Sequence, residues 1–330
     1  MSRIAILGAG AWGTALAISL ARRGGHELTL WAHSVALAED LVETGENLPY
    51  LPGYTIPMDV QITSDLPGAI FEAQIIVCVT PSQHLRETIG HIAPLLTHDQ
   101  IVVCASKGLE ETTFLRMSQV IGALTNHACG VLSGPSFAQE VAAGLPTAMV
   151  IAASKPETAL TVQREFSAPT LRLYTNDDVT GVELGGALKN VIAVAAGVIQ
   201  GLGMGANTSA ALITRGIAEI TRLAVACGGR RQTLAGLSGV GDLVLTCTGS
   251  LSRNRSVGIE LGKGRKLPDI LSGMNGKVAE GVHSTAAALG LAARYGVEMP
   301  IAQQMDAVLH HSKSPRDAIR ELMARPGRDE

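Results

Sequence analysis

From Arg3 to about Tyr174 short β-rich apolar runs alternate with segments whose apolar positions recur at helical spacing, the pattern of parallel βαβ units. RIAIL predicts a first strand, TALAISLARRG a helix ending near Gly24, and HELTLW a second strand. QIIVCV, IVVCAS, GVLSG, TAMVIA and LRLYT predict further strands, with TTFLRMSQVIGALT as a helix between two of them. The expected fold class is α/β: a Rossmann-like, doubly wound, mostly parallel sheet closed on both faces. After Asn176 the strand-like runs give way to long, small-residue helical patterns punctuated by Gly, which predict an all-α C-terminal domain. Its helices include Val179 to Ile199, Thr208 to Cys227 with Arg215 and Glu219 at ion-pair spacing, and Gly281 to Tyr295. The expected domains are therefore residues 1–176 and 177–330.

Arg3 followed by the apolar stretch Ile4 to Leu20 resembles a signal peptide, but Gly8, Gly10 and Gly13 break it and a second strand follows at once. GAGAWG directly follows a strand and opens a helix. In that setting the first glycines permit a tight turn and close approach of a pyrophosphate, while the helix offers free N–H groups to the anion. At the end of the second strand a dinucleotide-binding chain can place an acid for the ribose 2′-hydroxyl. Here Ala32, His33 and Ser34 stand there without a carboxylate, so a 2′-phosphate is admitted and NADP(H) is expected beside NAD(H). Residues 45–60, rich in Pro and Gly, read as a loop and a flap near the cofactor.

Lys189 and Asn190 are the only polar side chains between Glu183 and Gln200. An ammonium held out of water without a partner costs several kcal/mol and loses its proton more readily, which suits acid or base chemistry near neutral pH. The plainer alternative is a surface lysine whose stem lies along apolar neighbours and whose head reaches water. Lys107 follows the run IVVCAS at a strand's carboxyl end, where open α/β sheets bind ligands, although a lysine there is commonly just solvated. Ser133-Gly134-Pro135-Ser136 offers N–H and hydroxyl donors, or is simply a turn. Asp242 precedes an apolar run, a place equally natural for a helix cap. Ser252, Arg253 and Asn254 concentrate donors suited to a phosphate, with a solvated loop as the alternative.

Composition adds limits. A net charge of −3 with no Lys/Arg run removes any general attraction to nucleic acid, so anion capture must be local. The five cysteines are odd in number, contain no CxxC, and place Cys78, Cys104 and Cys129 in strand-like runs; they fit a reducing, cytoplasmic setting. His84, His91 and His98 recur every seven residues, but Pro94 interrupts any shared helix, and no metal site is expected. The apolar stretch around Lys189 is short and polar at its centre, so no membrane span is expected either.

Taken in order, GAGAWGTALA, ASKGLE, SGPSFAQEVAAGLPTA, VELGGALKNVIAVAAG, GDLVLTCTGSLSRNR and VAEG give the chain a resemblance to the bacterial NAD(P)-dependent glycerol-3-phosphate dehydrogenases along essentially its whole length. YLPG resembles that family too. The resemblance implies reversible hydride transfer between NAD(P)H and C2 of dihydroxyacetone phosphate, giving sn-glycerol 3-phosphate for phospholipid synthesis. It implies Lys189 as proton donor and acceptor with Asp242 beside it, and substrate contacts from Lys107, Gly134, Ser136, Ser252, Arg253 and Asn254. It implies cofactor contacts from Ala11, Trp12, His33, Ala138, Val278 and Glu280 in addition to Gly8, Gly10 and Gly13, with Lys107 and Arg253 touching both ligands. A homodimer is compatible with the apolar helical content. Two alternatives stand beside this. Ketopantoate and 6-phosphogluconate reductases also carry a lysine and an asparagine on one helix, but about a turn apart, whereas here Asn190 adjoins Lys189 and Ala193 occupies the i+4 position. A non-catalytic dinucleotide sensor needs the glycine turn but has no use for Lys189 with Asp242.

Overall fold

The computed structural model describes residues 2–127, 129–274 and 279–327. The chain divides into two compact units, Met1–Glu110 with Leu115–Glu183, and Glu111–Phe114 with Leu184–Glu330.

The first unit is α/β. Its strands are β1 (Ser2–Leu7), β2 (His26–Trp31), β3 (Glu46–Asn47), β4 (Leu51–Thr55), β5 (Val60–Thr63), β6 (Ile75–Cys78), β7 (Ile101–Cys104), β8 (Cys129–Ser133), β9 (Thr147–Ala152) and β10 (Leu171–Asn176). Eight of them form one sheet in the order β10-β9-β8-β7-β6-β1-β2-β5. The chain leaves β1 for β2 on one side and later returns to β6 on the other. This reversal beside β1 opens the crevice in which such sheets bind ligands. Helix Ala11–Arg23 buries the unbroken run Gly13 to Leu20 and ends on Gly24 at φ 74°. Its Leu16 and Leu20 share a core with Ile6, Leu30 and Phe166, all fully buried.

The large sheet is mostly parallel, as expected, and the structure adds details that the sequence did not reveal. All neighbours in the large sheet are parallel except β8 and β9, which pair antiparallel. Between them lies only the five-residue helix Ala138–Ala142, too short to carry the chain back across the sheet, so it doubles back instead. An edge strand, β5, pairs parallel with β2 inside the stretch following the expected loop. That loop is itself partly ordered as the hairpin β3–β4, and its fully buried Asn47 donates from Nδ2 to the carbonyl of Ala9 (2.9 Å) and to Thr14 Oγ1 (2.7 Å). The segment is thus fastened to the glycine turn. Finally, the helix expected from Thr112 begins only at Met117. Phe114 takes φ 61°, and Leu109 bridges to Arg116, so the chain is still turning over the first residues of TTFLRMSQVIGALT.

The regular elements of the second unit are all helices among its described residues. Helix Val179–Gly201 is long and apolar enough to cross a membrane, yet its apolar window is wholly buried within the protein. It packs main chain to main chain against helix Arg253–Gly262. A Cβ on Gly197 would collide with the carbonyl of Arg255, and one on Gly258 with the carbonyl of Val194.

Helix Ala206–Ala226 contains Glu219, which forms no ion pair with Arg215. Its buried carboxylate instead accepts from the backbone N–H groups of Ile301 and Ala302, both at 3.0 Å, in the first turn of helix Pro300–His310. Glu219→Ala should therefore lower the unfolding free energy by about 2 kcal/mol in urea titrations, because two buried donors lose their acceptor. Burial raises this carboxyl's pKa, against the two N–H bonds that lower it. Its contribution is then fully present below the unfolded-state value and declines as pH rises through the raised one. The deficit in the variant should shrink as pH rises from the unfolded-state value through the raised one; a deficit growing with pH would contradict the assignment.

Candidate active site

The three glycines of the turn meet different surroundings. Gly8 sits at φ 129°, and a Cβ there would press on the Val79 carbonyl group at 3.0 Å; one on Gly13 would collide with the carbonyl of Gly8. Gly10, which caps the helix, has no atom within 4 Å of such a Cβ and so faces open space. Trp12 Nε1 and Thr80 Oγ1 are buried without hydrogen-bond partners among the described residues. A helix N-terminus, an open approach to its capping glycine, and unused polar atoms on residues 12 and 80 fit a dinucleotide pyrophosphate. Ala11 and Trp12 open the helix. His33 is exposed just past β2, its ring edge-on to Trp31 at 5.9 Å, and Ser34 caps the next helix by accepting from Leu37 N–H.

Lys107 and the SGPS segment come together. Lys107 follows β7 and donates from Nζ to the carbonyl of Gly134 (3.0 Å), which also accepts from Ser136 Oγ (3.1 Å). Gly134 is at φ 133°, and a Cβ there would meet Met149 Cα at 3.0 Å. Ala138 begins the short helix that follows.

In the second unit Lys189 is 7% exposed and Asp242 1% exposed, which removes the alternative of a solvated lysine head. Lys189 Nζ donates to Asp242 Oδ1 and, at 2.9 Å, to Thr246 Oγ1. The Thr246 hydroxyl in turn donates to the Asp242 carbonyl (2.6 Å), leaving a lone pair for the lysine. The geometry has a local cause. A single π turn, Leu237–Gly241, feeds helix Asp242–Thr248. Gly185 on the lysine helix leaves room for the carbonyl of Ser238 in that turn, which seats Asp242 against Lys189. Asp242 is thus the first residue of its helix, and Gly241 is the cap. Thr246 was not singled out in the sequence reading. Its signal was available, since it stands one helical turn after Asp242 and so shares its face.

Ser252 caps helix Arg253–Gly262 by accepting from Arg255 N–H at 3.2 Å. Asn254 is buried, donates to Asn190 Oδ1 (3.0 Å) and accepts from Gly281 N–H (2.8 Å), tying the residue after the lysine to the start of helix Glu280–Arg294. Arg253 is exposed and has no hydrogen-bond partner among the described residues. Surrounding protein lowers its guanidinium pKa, and the carboxylate of Glu280 opposes that shift. Val278 lies outside the described residues. Burial pushes the thiol of Cys247, next to Thr246, up to about 12, so it stays protonated beside the lysine.

When a nicotinamide delivers hydride, the acceptor oxygen needs a proton, and an ammonium held as Lys189 is held can supply it. The class so described is an NAD(P)-dependent oxidoreductase acting on a CH–OH group. Residues 3–159 match the family model for the N-terminus of NAD-dependent glycerol-3-phosphate dehydrogenase, and residues 178–320 match the model for its C-terminus. The chain belongs to the NAD-dependent glycerol-3-phosphate dehydrogenase family. It is 61% identical to a glycerol-3-phosphate dehydrogenase [NAD(P)+] of Acidobacterium capsulatum, with 100% of both chains covered. It is 57% identical to one of Koribacter versatilis, covering 100% of this chain and 99% of that one. Among solved structures, a glycerol-3-phosphate dehydrogenase from Coxiella burnetii superposes with a TM-score of 0.94 at 38% identity, covering 98% of this chain and 99% of that one.

Proposed function

We propose that the chain catalyses reversible hydride transfer between NAD(P)H and C2 of dihydroxyacetone phosphate, giving sn-glycerol 3-phosphate for glycerophospholipid synthesis. The observation that carries this reading is the buried Lys189 ammonium, held by Asp242 and Thr246 in a chain of this family. The bound nicotinamide supplies or accepts the hydride. Lys189 gives its proton to the carbonyl oxygen during reduction and takes it back during oxidation. A neighbouring carboxylate stabilises the ammonium while exclusion from water destabilises it, so the proton is held yet released to a forming alkoxide.

Lys107, Gly134 and Ser136 contact the substrate, and Lys107 also the nicotinamide end. Arg253 binds the substrate phosphate and touches the cofactor. Ser252 and Asn254 complete that contact by fixing the start of the Arg253 helix, since their side chains already hold main-chain groups and Asn190. Gly8, Gly10, Ala11, Trp12, Gly13, His33, Ala138, Val278 and Glu280 contact the cofactor. Residues 1–176 act as the dinucleotide domain and 177–330 as the catalytic one. Five free thiols support a cytoplasmic setting, and a homodimer is the assembly we favour.

Loss of NADPH absorbance on adding dihydroxyacetone phosphate, run beside NADH, tests the activity. A clear rate is expected. Tight NADPH binding without turnover would leave the chain a dinucleotide sensor.

Cofactor choice follows from the carboxylate missing after β2. Neutral His33 can donate one hydrogen bond to a 2′-phosphate and binds it more strongly when protonated. Both cofactors are expected to work, NADPH at least as well, with His33→Asp moving preference toward NADH. In competition kinetics, strict NADH use by the natural chain, or an unchanged preference in the variant, would place the ribose contact elsewhere.

A further inference from the structure

Hydrogen bonds from three side chains outside the proposed contact residues fasten the loop that carries Lys107. Arg86, on helix Leu85–Ile92, grips Glu110 at two points, Nε to Oε1 at 2.7 Å and Nη2 to Oε2 at 2.9 Å. Gln83, just before that helix, donates from Nε2 to the carbonyl of Leu109 at 2.9 Å. On the other side of Lys107, Ser106 Oγ donates to the carbonyl of Thr80. The loop is therefore pinned one residue before Lys107 and again two and three residues after it.

A solvent-facing ion pair contributes little to folding, so a forked pair with a buried carboxylate at this spot calls for another explanation. Lysine could not replace the arginine on equal terms, because only the planar guanidinium binds both carboxylate oxygens in one fixed orientation. A lysine side chain is long and flexible. Its ammonium can be presented with sub-ångström accuracy only if the backbone from which it springs does not wander, and a misplacement of about 1 Å can cost on the order of a hundredfold in rate.

We propose that Arg86 is a positioning residue for the reaction: through Glu110 it fixes the Ser106–Glu110 loop so that Lys107 is held on Gly134 and presented to the phosphorylated ketone. This rests on the substrate role proposed for Lys107, which the experiment tests separately.

The test is a double-mutant cycle on kcat/KM for dihydroxyacetone phosphate at saturating NADPH, using the natural chain, Arg86→Met, Lys107→Ala and the two combined. Arg86→Met should lose about tenfold and Lys107→Ala about a hundredfold, with the double variant no worse than Lys107→Ala, because the clamp has nothing left to position. Amide hydrogen exchange should quicken across Ser106–Glu110 in Arg86→Met while β1 and β6 keep their protection. If Arg86→Met proves too unstable, Arg86→Lys, which keeps the charge and loses the fork, enters the same cycle under the same criteria. Losses that multiply in the double variant, unchanged loop exchange, or an Arg86 variant within about twofold of the natural chain would overturn the clamp. No turnover by the natural chain, or full activity in Lys107→Ala, would instead bring down the underlying reading of the site, and the clamp with it.

Discussion

Replacing Lys189 with alanine should lower kcat by about 10²- to 10⁴-fold, the range general acid–base groups supply, while NADPH still binds. The proton that Lys189 holds matters only as negative charge gathers on the substrate oxygen, so its loss falls on the transition state rather than on the ground state. The dinucleotide contacts proposed around the glycine turn do not involve this lysine. A fluorescence titration with NADPH would show whether the variant remains folded and competent. That control is needed because the substitution also removes one partner of a buried ion pair, which costs stability in its own right. Near-normal turnover in a folded variant would remove Lys189 from the chemistry altogether.

The second large effect is expected at Arg253. Its guanidinium is exposed, engages no hydrogen-bond partner among the described residues, and stands at the start of a helix whose cap and neighbouring amide are both fixed. A charged donor so placed is prepared for an anion. Arg253→Ala should cost about 1.5–3 kcal/mol in kcat/KM for dihydroxyacetone phosphate, or roughly ten- to a hundredfold. Unphosphorylated dihydroxyacetone should be a poor substrate for both forms and lose little more in the variant. Equal losses on the two ketones would mean that Arg253 does not read the phosphate.

Much of this molecule was legible in the sequence where one local pattern determines one local structure. RIAIL followed by GAGAWG forms its strand, turn and helix because the apolar run, the glycine break and the helical pattern follow one another within a few residues, and Gly13 must leave room for the nearby carbonyl of Gly8. Lys189 stood out because nothing near it in the chain could solvate it. What could not be read depended on partners far along the sequence. The reversal of β9 follows from the shortness of the helix before it, and that helix is weakly marked within SFAQEVAAG. Glu219 has a favourable neighbour in Arg215, yet two N–H groups from a helix some eighty residues later take its carboxylate, because a buried acceptor is worth more there than an exposed pair. Asn47 lay hidden in a segment whose Pro and Gly content advertised only a loop. Thr246 was within reach of helical spacing, but its hydroxyl has a purpose only once Lys189 is known to end beside it.

The contact between helices Val179–Gly201 and Arg253–Gly262 has a bearing on the spacing of the proposed site. Glycine backbone lies directly against carbonyl groups there, with no side chain between them. One helix carries the proposed proton donor and the other begins with the proposed phosphate-binding arginine. The distance between the two helices is then set by peptide groups, and a side chain added at Gly197 or Gly258 would force them apart. Surrounding residues can drift without changing that length. Under the roles proposed for Lys189 and Arg253, the helix spacing that separates the two is thus held by main chain rather than by any pocket-lining side chain.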